Sequence, residues 1–423
     1  MSKLKTNTIR HVDGSNDNIT LDSSQNVTVE GVLKTDSLRH TGASSDAITL
    51  ATDGTCTAKI TNNLSNRNLI INGAMQVAQR STAAVNDDSY RTVDRFALSY
   101  SGTDNHPTQA QHALTSSDTG PWEKGFRYSY HVTNGDQTSG AGTGDKMEII
   151  YKIEAQDMAN SGWNYTSTSS YITFSFWVKS SKAQNFYGYI LSLDGTTQNY
   201  PFETGNLSAN TWTKITKTIP GNSNIQFDNN AAEGLRIVIQ PFMGTASTGS
   251  VSLNAWAALV SDTRTPNQTS DWWLENDATF EITGMQLEVG DVATDFEHRS
   301  YGDELARCQR YYYHHVKGSE GSNGQHAAIS DNASMYNATS IFLSIPLPVT
   351  MRAKPDLVDS NATDYYLVYC NNAASQFDTF GIDAVTTKTV LNINTTTDSM
   401  TSGNAALART NHANAIIAAD AEL

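Results

Sequence analysis

Apolar positions along this chain alternate with polar ones at a period of two far more often than they recur at helical spacing. Thr173-Phe174-Ser175-Phe176-Trp177-Val178-Lys179 is the clearest case. That alternation is the mark of a strand with one buried face, because successive side chains leave opposite sides of the backbone. Runs of similar character fall at 127–132, 147–153, 172–179, 186–193, 212–219, 235–240, 251–260 and 280–289. Clusters of Gly, Asn, Asp and Ser separate them and read as turns. About eight strands over about 230 residues, with short turns between, predict an antiparallel β-sandwich of jelly-roll type.

The first 65 residues carry a different pattern, an internal repeat with a 29-residue shift. Arg10/Arg39, His11/His40, Ser15/Ser44, Asp17/Asp46, Ile19/Ile48, Thr20/Thr49, Leu21/Leu50 and Thr28/Thr57 are identical pairs. Each copy reads as two short strands, with Ile19 and Leu21 on one side and Asn18 and Thr20 on the other. A unit so thin cannot bury its apolar row alone. Association of three chains about one axis would cover that row, so a trimeric β stalk is expected, with Ile19, Leu21, Ile48 and Leu50 at the contacts. The alternative is a small repeat packed on the next domain of the same chain. His11 and His40 recur with no further ligand set beyond Asp17/Asp46, so they read as polar positions of the repeat, and no metal is expected.

One segment is helical. Ser300 is a suitable N-cap, Asp303 and Glu304 fall in the first turn where the helix dipole favours acids, and Tyr301, Leu305, Cys308, Tyr312 and His315 recur at spacings of four and three. A connecting helix over 300–316 is predicted. It would either lie on the three-fold axis, with Leu305, Cys308 and Tyr312 as trimer contacts, or dock on its own sandwich. After a Gly/Ser linker at 317–324, a smaller β-sandwich is expected. The apolar run 341–355 holds three prolines, which lack a ladder donor, so it is expected to be an edge or intersubunit strand. The fold class is therefore mainly β. The expected domains are a repeat stalk (1–65), a central sandwich (66–299), a connecting helix (300–316) and a C-terminal β domain (317–423).

Composition narrows the function classes. The formal net charge is -15, and no basic cluster interrupts the acidity, so nucleic acid is not an expected partner. The three cysteines lie far apart without a CxxC, which argues against a disulfide framework or a zinc site. No apolar run approaches a membrane span, and the first residues lack the apolar core of a signal peptide, so synthesis in a cytoplasm without membrane insertion is expected. Neither G-x-S-x-G, Walker A nor H-E-x-x-H occurs. The chain is not expected to be an enzyme or to hold a cofactor, although a pair of carboxylates for glycoside hydrolysis need only meet in space.

Two resemblances sharpen the picture. The phrase Asn68-Leu69-Ile70-Ile71-Asn72-Gly73-Ala74-Met75 resembles the first strand of carbohydrate-binding-module jelly rolls, and the phrase from Phe280 to Gly290 resembles their last. That resemblance implies that the two pair. The family carries an acid shortly after its Asn-Gly, where this chain has Gln76. The longer phrase from Asn68 to Arg80, followed by Val93-Asp94-Arg95-Phe96, is similar to phrases of tail-fibre and related structural proteins of tailed bacteriophages, as are the stretches 286–312 and 348–355. Asp94 and Arg95 read as a local pair. This second resemblance implies a homotrimeric tail fibre of the virion, made in the host cytoplasm, with other tail proteins and a host cell-surface glycan as partners. The alternatives are a depolymerase acting on surface polysaccharide and a head or particle decoration protein. A pyranose face stacks on aromatic rings while amides and acids bond its hydroxyls, so the candidate ligand residues are Trp272 and Trp273 after Asp271, and Tyr365, Tyr366 and Asn371. Adjacent aromatics on a strand face opposite sides, so at least one of each pair is expected in the core.

Overall fold

The structure is a computed structural model. It describes residues 66–395 and 400–423 continuously, and in the first 65 residues the segments 8–9, 19–21, 27–29, 35–39, 48–50, 52, 54 and 56–58. The chain forms two compact units, Met1–Asn63 and Leu64–Leu423.

The first unit displays the repeat as geometry. Strands β1 (Thr8–Ile9), β2 (Ile19–Leu21) and β3 (Val27–Val29) form one antiparallel sheet, and β4 (Ser37–Leu38), β5 (Ile48–Leu50) and β6 (Cys56–Ala58) form another. The registers correspond: Ile9 faces Ile19 and Leu38 faces Ile48, while Ile19 faces Val29 and Ile48 faces Ala58. Each copy thus has three strands where two were expected; the extra one is the short segment before the first turn, too brief to show a period. Leu38 and Leu50 stand exposed, at 45% and 41%. His11, His40, Asp17 and Asp46 lie outside the described residues, as do the side chains of Ile19 and Leu21.

The second unit opens with a sandwich. Its strands are β7 (Phe96–Ser101), β8 (Thr108–Ala113), β9 (Tyr128–Thr133), β10 (Lys146–Glu154), β11 (Tyr171–Ser180), β12 (Asn185–Ser192), β13 (Gln198–Asn206), β14 (Thr213–Pro220), β15 (Glu233–Met243), β16 (Ala257–Ala258) and β17 (Thr279–Val289). They form a six-stranded sheet, β16-β13-β12-β15-β10-β7, and a five-stranded sheet, β14-β11-β17-β9-β8. Every ladder between these strands is antiparallel. The inward parity of each strand fills one core, with Phe174, Phe176, Phe202, Ile237 and Leu287 among the buried side chains. The expected strand at 251–260 shrinks to β16, because the chain turns at 253–255, where Asn254 is left-handed at φ +58°. β7, β8 and β13 were missed; in β8 and β13 the Gln, Thr and Asn content masks the alternation, whereas β7 does alternate, with Phe96, Leu98 and Tyr100 on one parity.

The segment 68–75 is not a regular strand, yet it does pair with the last strand. Leu69 N–H donates to Leu287 O at 2.8 Å and Met285 N–H to Gly73 O at 2.9 Å. Asn68 completes the splice, its Oδ1 accepting from Ile70 and Leu287 N–H and its Nδ2 donating to Met285 O. A Cβ at Gly73 would stand 2.1 Å from Met285 O, which accounts for the glycine of the Asn-Gly phrase.

Helix α2 (Tyr301–Gln309), preceded in the chain by the short α1 (Ala155–Ala159), is shorter than the expected 300–316. Ser300 caps it, its Oγ accepting from Asp303 N–H. The helix docks on its own unit: Glu304 accepts from Asn72 N–H at 2.6 Å, and Arg310, its C-cap, makes two bonds of 2.7 Å to Glu154. Cys308 is fully buried, Tyr312 is 5% exposed and Leu305 is half-buried. Cys308 and Tyr312 are therefore core positions of a single chain and not trimer contacts. Tyr312 has left the helix altogether and lies under the Arg80 guanidinium, 3.6 Å from the ring centroid.

The C-terminal β region comprises β18 (Tyr312–Lys317), β19 (Ala328–Met335), β20 (Ser340–Pro346), β21 (Asp356–Asp359), β22 (Tyr366–Cys370), β23 (Ala373–Phe377), β24 (Gly381–Val385), β25 (Thr389–Thr395), β26 (Ala405–Thr410) and β27 (Ile416–Asp420). A three-stranded sheet, β18-β27-β21, and a seven-stranded sheet, β23-β22-β26-β19-β20-β25-β24, enclose a second core. β20 lies inside the larger sheet and not at an edge, because its first six residues hold no proline and Pro346 only ends it. The region 317–324 is no free linker: β18 runs through Lys317, and Ser322 bridges to His326. Asp94 and Arg95 part company. Asp94 accepts from Gln79, while the buried Arg95 pairs with Glu422 and stacks on Tyr311 at 3.4 Å. Among the described residues no helix is long and apolar enough to cross a membrane.

Candidate functional site

The outer face of the five-stranded sheet carries the site. On β11 the core parity takes Ile172, Phe174, Phe176 and Val178, which leaves Thr173, Ser175, Trp177 and Lys179 pointing outward. Trp177 is therefore a large ring on the polar parity. Its neighbour on β14 is Lys214. On the other side the ladder to β17 slips: Ser175 faces Gln286, but Trp177 faces Thr283. This is a β-bulge, and such a bulge re-aims the side chains beside it. Gly284 sits in it at φ +62°, a left-handed conformation, and a Cβ there would stand 2.6 Å from the Phe126 ring and 3.0 Å from Trp177. Glycine is needed on both counts.

Two loops build the walls. In the first, Asp118 ties a turn by accepting from Thr115 N–H at 2.9 Å, and Gly120, also left-handed, lets the backbone pass the Trp177 ring edge. The chain then makes a single 3-10 turn at Trp122–Lys124 and returns through Phe126. The second loop follows β17. Its Phe296 meets Phe126 edge-on at 4.8 Å, and His298 Nε2 lies 2.8 Å from Lys124 O. The result is a groove of about 570 Å³ with Trp177 and Phe296 for its apolar floor, packed on the buried Phe126, and Glu123, Lys214, Asp295 and His298 at its polar margin. That size is within the usual range for small-ligand clefts, roughly 300–1,000 Å³. Chemically, the rings offer a platform for a C–H face, and the margin offers both donors and acceptors.

Beside the groove runs a row of charges. The register sets Lys179 opposite Glu281, and Glu281 opposite His131. Glu281 also takes a bond of 2.6 Å from Ser129 Oγ and lies 3.1 Å from His112 Nδ1. Burial opposes its charge, but the partners His112, His131 and Ser129 outweigh burial and hold its carboxyl well below the usual range. The bond to Glu281 in turn raises the His112 imidazole. Asp118 ends the row, accepting from Lys179 at 3.0 Å and Trp212 Nε1 at 2.9 Å. Burial would raise its carboxyl, yet the Thr115, Trp212 and Lys179 donors hold it at about 2.

The residues singled out in the sequence lie elsewhere. Trp272 and Trp273 are both fully buried; Trp272 donates to Thr279 O at 3.0 Å and Trp273 stacks on Phe242 at 4.9 Å. Neither ring can meet a ligand, because this is a loop folded into the core and not a strand with two faces. Tyr366 is also fully buried, its hydroxyl donating to Ile416 O at 2.7 Å. Tyr365 is half-buried with one face stacked on His412 at 4.1 Å, and Asn371 is exposed in a left-handed turn. The groove's own signal was present in the sequence: Trp177 falls on the polar parity of an otherwise regular amphipathic strand.

No family model matches the chain. No curated protein matches it either. Among solved structures, the enzymatically active domain of tailspike protein 4 of bacteriophage CBA120 is similar at 12% identity and a TM-score of 0.28, over 53% of this chain and 21% of that one. The chain thus spans about a fifth of that tailspike structure. A CBM4 structure is similar at 12% identity and a TM-score of 0.27, over 52% of this chain and 98% of its own. The family 11 carbohydrate-binding module of Clostridium thermocellum, in complex with a mixed-linked β-1,3-1,4 tetrasaccharide, is similar at 11% identity and a TM-score of 0.22, over 52% and 99%. The chain is a mainly β protein built on an antiparallel jelly-roll sandwich.

Proposed function

We propose that this chain is a non-catalytic structural protein of a bacteriophage particle, a homotrimeric tail fibre whose sandwich binds glycan on the host surface in the Trp177 groove. The observation that carries the glycan reading is the position of Trp177, an aromatic ring on the polar parity of β11, framed by two left-handed glycines and bordered by Lys214. Neutral polyhydroxylated ligands need such a pairing of ring face and hydrogen-bonding margin. The particle assignment rests on the tail-fibre-like phrases at 68–80 and 286–312. The trimer is supported by Leu38 and Leu50, which stand exposed in a unit too thin to bury them.

A glycan array with the full chain and its W177A variant tests this reading. Binding to a defined glycan class in the wild type is expected, with a loss of at least about tenfold in W177A, which corresponds to about 1.4 kcal/mol. Retained binding in a folded W177A protein overturns the groove. A reducing-sugar assay on bound polysaccharide should give no release; release abolished by E123Q or D295N would make the protein a hydrolase instead.

A further inference from the structure

We infer that His112, His131 and Glu281 form a binding site for one divalent transition-metal ion of the zinc class, on the same sheet face as the groove but independent of the glycan reading. The three residues come from β8, β9 and β17, consecutive strands of the five-stranded sheet. Neighbouring strands lie about 4.8 Å apart, so cross-strand side chains on one face converge without loop adjustment. The register sets His131 directly opposite Glu281 and places His112 on the next strand, opposite Ser129.

The spacing suits a small ion. A tetrahedral ion with bonds of about 2.0–2.1 Å holds its donors roughly 3.3 Å apart. His112 Nδ1 lies 3.1 Å from one Glu281 oxygen and His131 Nδ1 lies 3.4 Å from the other. All three donor atoms fall within 4.8 Å of one another. Two of the three ligands are held from behind. His131 Nε2 sits 3.1 Å from Thr133 Oγ1, while its buried Nδ1 faces the Glu281 carboxylate. Ser129 Oγ donates to Glu281, which is 2% exposed. Such supporting contacts orient ligands at metal sites. The His112 side chain is 49% exposed, which leaves the remaining coordination position open to solvent.

Two imidazoles and one carboxylate select zinc, nickel or copper over calcium and magnesium, which require oxygen ligands. Lys179 is the built-in competitor. Its ammonium lies 2.9 Å from Glu281 and 3.0 Å from Asp118, so an arriving ion displaces it toward Asp118 without stranding it. The two histidines lie nineteen positions apart in sequence, with the glutamate far beyond, so only the sheet register reveals the site.

Tag-free full-length protein stripped with EDTA should bind one Zn²⁺ per chain in calorimetry and give the visible absorption of tetrahedral Co²⁺. Millimolar Ca²⁺ or Mg²⁺ should not displace the ion. H112A, at an exposed position, should keep its circular dichroism and lose at least about tenfold in affinity. K179Q should bind more tightly than the wild type, a gain that a purely structural ion-pair network does not produce. Absence of stoichiometric Zn²⁺ binding by the wild type overturns the inference. So does Zn²⁺ binding that is unchanged in H112A or weakened in K179Q.

Discussion

At the scale of the residue, the groove depends on backbone conformations that only glycine adopts cheaply. G284A is expected to destabilise the chain by about 1–3 kcal/mol, from left-handed strain together with the close approach to Phe126 and Trp177. Urea denaturation measures this, and a variant within about 0.5 kcal/mol of the wild type would show that the bulge relaxes freely. Asp118 gives a prediction in pH. Its carboxyl lies at about 2 in the folded chain, against about 4 when unfolded. Its folded value is depressed, so its ionised form stabilises the fold above about pH 4, and that contribution is lost as the pH falls toward 2. The melting temperatures of wild type and D118N, measured from pH 2 to 6, should therefore converge at the acid end; parallel curves would refute the assignment. Trp177 was legible in the sequence from parity alone. Trp272 and Trp273 misled because adjacent aromatics in a loop are not bound by strand parity and can both turn inward.

At the scale of the element, the last residues act as a clasp. β27 is the centre of a three-stranded sheet, and the residues after it reach the sandwich. Glu422 pairs with the buried Arg95 and with Arg80 at 3.4 Å, Arg352 donates to Ala421 O and Glu422 O, and Lys152 donates to Leu423 O. Removing one partner of a buried pair strands the other, at a cost of about 3–5 kcal/mol. E422A should show that loss in chemical denaturation, and D420A, whose carboxylate is 31% exposed, a smaller one. A loss under about 1 kcal/mol would mean that water already reaches Arg95. The sequence disclosed most strands with apolar alternation but none of this clasp. Arg95 and Glu422 are separated by most of the chain, and ion pairing of that kind leaves no periodic trace. The same limit explains why Asp94 and Arg95, neighbours in sequence, read as a pair although their side chains serve different partners.

At the scale of the whole molecule, the repeat sets the question of valency. The two three-stranded sheets share one register, shifted by the repeat length, and each is too small to enclose a core. In the second of them Leu38 and Leu50 remain exposed within a single chain. The proposed homotrimer would cover these positions, and its three Trp177 grooves would turn weak single-site contacts into an avidity gain of about 10²–10⁴. The double variant L38S/L50S separates the two contributions. It should sediment as a monomer or in rapid exchange where the wild type sediments as a trimer, while each sandwich keeps its own fold and its own weak glycan affinity. Binding to a dense glycan surface should then fall by orders of magnitude, while binding to a soluble monovalent oligosaccharide stays unchanged. A wild-type chain that sediments as a monomer at micromolar concentration would remove the trimer from the proposal.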